Sequence, residues 1–172
     1  MWSKLFKQNN SAKNILVLGE TGCGKRSFIL HYKDGIIPNG TELPEFHSLT
    51  YKKKLNKEGE QISLIFTLNR TGERMIPSMS KEVKYDLILI LSDLSSENAK
   101  KDLDFYKDYA KIHFPDVKTI PIGTKQDQKL ESNVFDGLIN TSAKTNSGFD
   151  AFEEQLLESL HVTAHKKGLD LK

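Results

Sequence analysis

Cysteine is almost missing: Cys23 is the one thiol in 172 residues. A disulfide framework is therefore excluded, and a reducing, cytoplasmic setting is the simplest expectation. Long hydrophobic runs are missing too. The longest purely aliphatic stretch covers residues 87–91, far short of the roughly 20 apolar residues that span a bilayer, and residues 1–7 lack a signal-peptide core. An excess of one charge is also absent. A formal net charge of +2 argues neither for nor against a nucleic-acid partner at the level of the whole chain, and none is expected. The local cluster Lys52-Lys53-Lys54 reads as a solvated strand face. No repeat, low-complexity stretch or internal boundary divides the chain. It reads as one domain, 1–172, with a core over 13–164 and a tail over 165–172, long enough to bury roughly two-thirds of its unfolded surface.

The most informative stretch is Gly19-Glu20-Thr21-Gly22-Cys23-Gly24-Lys25. Glycines between a strand and a helix let backbone N–H groups approach phosphate oxygens, while a following lysine reaches the β- and γ-phosphates. The flanks agree: residues 14–18 form a short apolar run expected of a buried parallel strand, and Phe28, Ile29 and Tyr32 recur at helical spacing until Asp34-Gly35 supplies a helix stop. Arg26 stands where a serine or threonine would complete the motif and offer a hydroxyl to Mg²⁺. Arginine has donors only and cannot ligate a cation. Cys23 sits at a helix start, where a thiol pKa can fall, yet as a lone cysteine its expected role is packing.

Further along, residues 48–56 and 61–68 are extended runs about Glu58-Gly59, which predicts an antiparallel hairpin. Residues 86–91 predict a buried strand. Residues 92–114 predict a helix with Ala99, Leu103, Tyr106 and Ala110 on one face, followed by strands over 117–122 and, more weakly, 137–140. Phe149, Phe152, Leu156 and Leu160 give a last amphipathic helix after Ser147-Gly148. Strands alternating with helices predict an α/β fold, a mostly parallel six-stranded sheet with helices on both faces.

With these motifs in order, the chain resembles the small guanine-nucleotide-binding proteins of the Ras superfamily, most closely the Rab branch. Thr41-Glu42-Leu43-Pro44-Glu45-Phe46 is similar to the first switch and Asn69-Arg70-Thr71-Gly72-Glu73 to the second. Thr124-Lys125-Gln126-Asp127 is similar to the base-reading motif, and Thr141-Ser142-Ala143-Lys144 to the last loop over the base. The resemblance implies a P-loop small GTPase fold binding GDP and GTP, with Gly19, Glu20, Thr21, Gly22, Cys23, Gly24, Lys25, Arg26, Ser27, Thr41, Gly72, Thr124, Lys125, Asp127, Ser142, Ala143 and Lys144 as nucleotide-binding positions. Asp127 can accept from the N1–H and 2-amino groups of guanine, two donors that adenine lacks. The resemblance further implies that the Lys125 stem lies along the base and that the backbone about Ala143 donates to its carbonyl.

The metal and hydrolysis parts depart from that pattern. Arg26 and Asn69 occupy the two usual ligand positions, Glu73 replaces the glutamine that orients water, and Thr21 fills space an arginine finger would need. Thr41 is the remaining switch hydroxyl for metal. Mg²⁺ is therefore an uncertain cofactor. Arg26 either supplies part of the missing positive charge or turns outward to an acidic neighbour. Fourteen residues separate Asp127 from Ser142, too few for a regular crossover helix, so the fourth helix is expected to be shortened or missing. The tail carries no cysteine and residue 2 is tryptophan, so neither prenyl nor myristoyl attachment is expected; any membrane association would go through a partner or a further segment. Three readings follow: a guanine-nucleotide switch or scaffold with weak or absent hydrolysis and a protein effector or regulator, a slow working GTPase, and an interaction module that binds no nucleotide.

Overall fold

A computed structural model of the protein describes residues 11–36, 50–57, 59–68 and 83–169, with side chains from residue 12 as far as residue 160. In chain order the elements are β1 (Ser11–Gly19), α1 (Lys25–Asp34), β2 (Thr50–Lys57), β3 (Glu60–Leu68), β4 (Leu87–Asp93), α2 (Ala99–His113), β5 (Thr119–Thr124), a 3₁₀ turn (Gln126–Gln128), β6 (Ile139–Asn140) and α3 (Phe149–Leu169). The six strands form one mixed sheet in the order β2-β3-β1-β4-β5-β6. The β2–β3 hairpin is antiparallel. The other pairings, β1 with β3 and β4, β4 with β5, and β5 with β6, are parallel.

Leu87 to Leu91 are buried on both faces, as a central strand requires, and so carry no alternation to read. Their side chains divide between two cores. On one face Ile15, Val17, Leu64, Phe66, Leu87 and Leu89 meet Phe28 and Tyr32 of α1 and Phe152 and Leu156 of α3. On the other, Leu16, Leu18, Ile88 and Ile90 meet Leu103, Tyr106 and Ala110 of α2. Each large apolar side chain so buried contributes about 1.5–3 kcal/mol, and together they clamp the carboxyl ends of β1, β4 and β5 in register.

The edge strand β2 alternates exposed and half-buried residues. Lys52 and Lys54 face solvent, but Lys53 does not belong to a simple solvated face. Its ammonium lies 4.1 Å from the Tyr32 ring centroid and donates to the Tyr32 carbonyl at 2.5 Å, close to the last turn of α1. The Tyr32 hydroxyl donates to Glu153 Oε1 at 2.9 Å, joining α1 to α3. Burial and the neighbouring Glu153 charge push the Tyr32 phenol well above its ordinary value of 10.0. The unfolded chain therefore ionises first, and stability contributed here is lost as pH rises past 10. Tyr32→Phe is expected to cost about 1–2 kcal/mol at neutral pH and to flatten this alkaline loss, as read from urea melts at pH 7 and above 10.

Several boundaries differ from the sequence expectation. The helix predicted over 92–114 begins at Ala99, because the parallel ladder with β5 continues through Ser92 opposite Gly123 and Asp93 opposite Thr124. The strand predicted over 117–122 moves to Thr119–Thr124 for the same reason, with the Val117 amide turned back to the Phe114 carbonyl. The last strand shrinks to two residues, and β1 lengthens to nine. Between β5 and β6 the described helix is the three-residue 3₁₀ turn, so residues 128–136 carry less than two helical turns, as the residue count requires. This connection is pinned by Asn133, whose amide donates to the carbonyls of Leu94 and Ser96 at 2.8 and 2.7 Å. Residues 41–46 and 69–73, with Thr41, Asn69, Gly72 and Glu73, and residues 48 and 49 of the predicted hairpin lie outside the described residues.

Candidate functional site

The chain turns from β1 to β3 on one side and later to β4 on the other. The loops after β1 and β4 thus diverge at a topological switch point, where open α/β sheets place ligand crevices. The loop after β1 is the glycine-rich stretch. Gly19 ends the strand under tight constraint: a Cβ there would lie 2.6 Å from Cys23 Sγ and 2.8 Å from the Leu91 carbonyl. Gly24 caps α1 at φ 93°, a left-handed conformation that glycine adopts without steric cost.

Four loop carbonyls are committed to donors. Lys25 Nζ donates to Gly19 O at 2.7 Å and Glu20 O at 2.9 Å, Lys125 Nζ to Gly22 O at 2.9 Å, and Thr124 Oγ1 to Cys23 O at 2.5 Å. In a trans peptide the C=O and the next N–H point in opposite senses. Drawing these oxygens toward donors therefore turns the following amides away from them, and of those amides that of Cys23 donates back to the Glu20 carbonyl at 3.2 Å. The Glu20 carboxylate also accepts from the Thr21 amide at 3.1 Å.

Lys25 is 5% exposed. Burial lowers its pKa below the ordinary 10.5, with Cys23 and Glu20 opposing the shift. Burial likewise pushes the Cys23 thiol up, against the charge of Lys25, so the loop cysteine is a packed thiol and not a thiolate nucleophile. Arg26 and Ser27, on the first turn of α1, are half-buried.

The second half of the site comes from β5, β6 and their loops. Lys125 has φ 55°, strained for a residue with a side chain, and opens the 3₁₀ turn that carries Asp127. Its ammonium forms an ion pair with Asp93 Oδ2 at 2.7 Å. Burial raises the Asp93 pKa, but the donors from Lys125 and Ser95 outweigh it and hold the carboxyl below the usual range. That contribution to stability is present above the ordinary carboxylate value and is lost as pH falls through the folded one. Ser142, 1% exposed, donates to Asp127 Oδ1 at 2.6 Å, which orients the carboxylate while leaving lone pairs on both oxygens. The 3₁₀ turn is tied to the same loop by the Gln126 amide, which donates to the Thr141 carbonyl at 3.0 Å.

These parts enclose an open cleft of about 340 Å³ lined by Gly24, Ser27, Phe28, Thr124, Lys125, Asp127, Gln128, Thr141, Ala143 and Lys144, at the lower end of the range for small-molecule sites. Seven of the residues singled out in the sequence meet here. Gly19, Cys23, Lys25 and Ser142 lie behind the wall as its support, and Glu20, Thr21, Gly22 and Arg26 are not among the lining residues. Phe28 and Gln128 were missed, and Thr141, read as the first residue of the loop over the base, also lines the cleft. Phe28 read as core from its helical spacing, and it is core as well, 5.1 Å from Phe149 and 4.9 Å from Phe152 between ring centroids. His31 was missed too. Its ring contacts the Ile36 carbonyl at 3.1 Å and Asn146 Oδ1 at 2.8 Å, bracing the loop that carries Ala143.

Among the described residues no group of His, Cys, Asp and Glu could hold a metal ion, and no helix is long and apolar enough to cross a membrane. No protein-family model matches the chain, and no curated protein matches it either.

Proposed function

We propose that this chain is a Rab-like small GTPase of the Ras superfamily with a P-loop fold. In this reading it binds GDP and GTP, hydrolyses weakly or not at all, and works as a switch or scaffold for a protein effector or regulator. The observation that carries it is convergence: Gly24 at the end of the glycine-rich loop, the Thr124-Lys125 and Asp127 segment, and Ala143-Lys144, far apart in sequence, line one cleft at the carboxyl ends of parallel strands. A buried lysine beneath the glycine-rich loop and, in the cleft wall, a carboxylate acceptor held by Ser142 suit a phosphorylated ligand whose base offers two adjacent donors.

The residues present do not fit Mg²⁺ in the usual way. Arg26 brings donors where a ligand oxygen would be needed, and no step is assigned to the metal. Phosphate charge is met instead by Lys25 and the loop amides. Nucleotide affinity is therefore expected to change less than about threefold when EDTA is added, as measured by titration of labelled GDP and GTP beside single-turnover hydrolysis. A loss of orders of magnitude with EDTA, or hydrolysis well above background, would end the metal-independent reading. The base assignment has its own check. Heat-released material identified by chromatography should be guanine nucleotide, and equal affinity for ATP and GTP would remove Asp127 from its role.

A further inference from the structure

Gly22 forms the crest of the phosphate loop, at φ 77°, and a Cβ built on it would touch nothing within 4 Å. Side-chain packing does not hold the crest. Its carbonyl accepts from Lys125 Nζ, while the Cys23 amide of the same peptide donates to the Glu20 carbonyl at 3.2 Å, and the Lys125 ammonium is in turn held by Asp93 Oδ2. Asp93 is itself fixed, because Oδ1 accepts from both the amide and the hydroxyl of Ser95, at 2.9 and 2.6 Å. The Asp93 side chain is 18% exposed and that of Lys125 38%, so the pair is partly shielded from solvent. A chain of contacts therefore runs from the end of β4 through the end of β5 to the loop after β1.

We propose that Asp93 is a positioning residue for the nucleotide site: through Lys125 it orients the Gly22–Cys23 peptide, and so couples the base-reading turn to the phosphate loop. The inference deepens the nucleotide reading above and rests on it for its ligand, though the latch itself is a property of the protein. Without Asp93 the Lys125 ammonium has solvent-exposed alternatives to Gly22 O, since a lysine stem is flexible and strongly hydrated. The loop amides would then have to be ordered by the incoming phosphate, which weakens binding.

Four proteins test this: the natural chain, Asp93→Asn, Lys125→Met and the double variant. Titration with fluorescently labelled GDP is expected to show about tenfold weaker binding for Asp93→Asn, and binding by the double variant no weaker than by Lys125→Met, because Asp93 acts only through the ammonium. Additive losses would overturn the proposal, as would undiminished affinity in Asp93→Asn. Amide hydrogen exchange without added nucleotide gives an independent reading: residues 22–24 should exchange faster in Asp93→Asn while β1 and β4 remain protected. Unchanged loop exchange ends the latch regardless of any ligand. If the natural chain binds no guanine nucleotide while loop exchange still rises in the variant, the nucleotide reading fails and the latch stands.

Discussion

Replacing Lys25 with methionine is expected to lower affinity for GDP and GTP by on the order of 100-fold or more while leaving the folded protein nearly as stable as before. The binding loss follows from removing the buried ammonium that underlies the glycine-rich loop. Two of its three donors are held by Gly19 O and Glu20 O; the remaining bond to phosphate is worth about 1.5–3 kcal/mol, and the ionic attraction at about 4 Å adds about 4 kcal/mol gross at an effective dielectric near 20, together a factor of a hundred or more. Stability should change little because two effects oppose each other. Methionine fills similar volume and removes the cost of burying an ammonium, but it also releases the carbonyls of Gly19 and Glu20. The pH dependence separates these contributions. Burial holds the Lys25 pKa below 10.5, so between the folded value and 10.5 the unfolded chain binds more protons and stability rises with pH. That rise should vanish in Lys25→Met. An incoming phosphate offsets the desolvation, so nucleotide binding at alkaline pH should take up a proton in the natural chain and none in the variant. Calorimetry in buffers of different ionisation enthalpy checks the uptake, and urea melts across pH 8 to 11 check the stability.

The second large effect concerns the base. Asp127→Asn is expected to reduce guanine-nucleotide affinity by two or more orders of magnitude and to favour xanthine nucleotides instead. An amide has one acceptor and one donor end where the carboxylate has two acceptors. It therefore places an N–H against the 2-amino group of guanine, whereas the 2-oxo group of xanthine accepts that N–H. Asp127 is exposed in the free protein, and once a bound base covers it such a mismatch is costly because both groups lose water without gaining a partner. The Ser142 hydroxyl at 2.6 Å can donate to the amide oxygen, so the turn keeps its place and the change is expected to be one of selectivity more than of folding. Competition among guanine, xanthine, adenine and pyrimidine nucleotides reads it directly. Unaltered selectivity in Asp127→Asn would show that the carboxylate does not face the base.

Much of the scaffold was legible in local pattern. The apolar run before the glycines, the spacing of Phe28 and Tyr32 after them, and the hairpin about Glu58-Gly59 all signal their elements within a few residues. The count between Asp127 and Ser142 sufficed to deny a regular fourth helix, because chain length limits what a crossover can contain. Misplaced boundaries occurred where a ladder with a distant strand competed with local propensity. Ser92 and Asp93 look like a helix start, and only the pairing with Gly123 and Thr124 keeps them extended.

The sequence by itself determined which residue types are present: a glycine-rich loop with a lysine, an arginine directly after that lysine, and an acidic residue two places after a second lysine. These are properties of residue type and near spacing, set by sterics and donor count. Only the tertiary structure decided how those groups are aimed. Thr124 reaches Cys23 across 101 residues, Lys125 reaches Gly22 across 103, and His31 reaches Asn146 across 115. No local period encodes such pairs, because they exist only once two buried cores have brought the ends of β1, β4 and β5 into register.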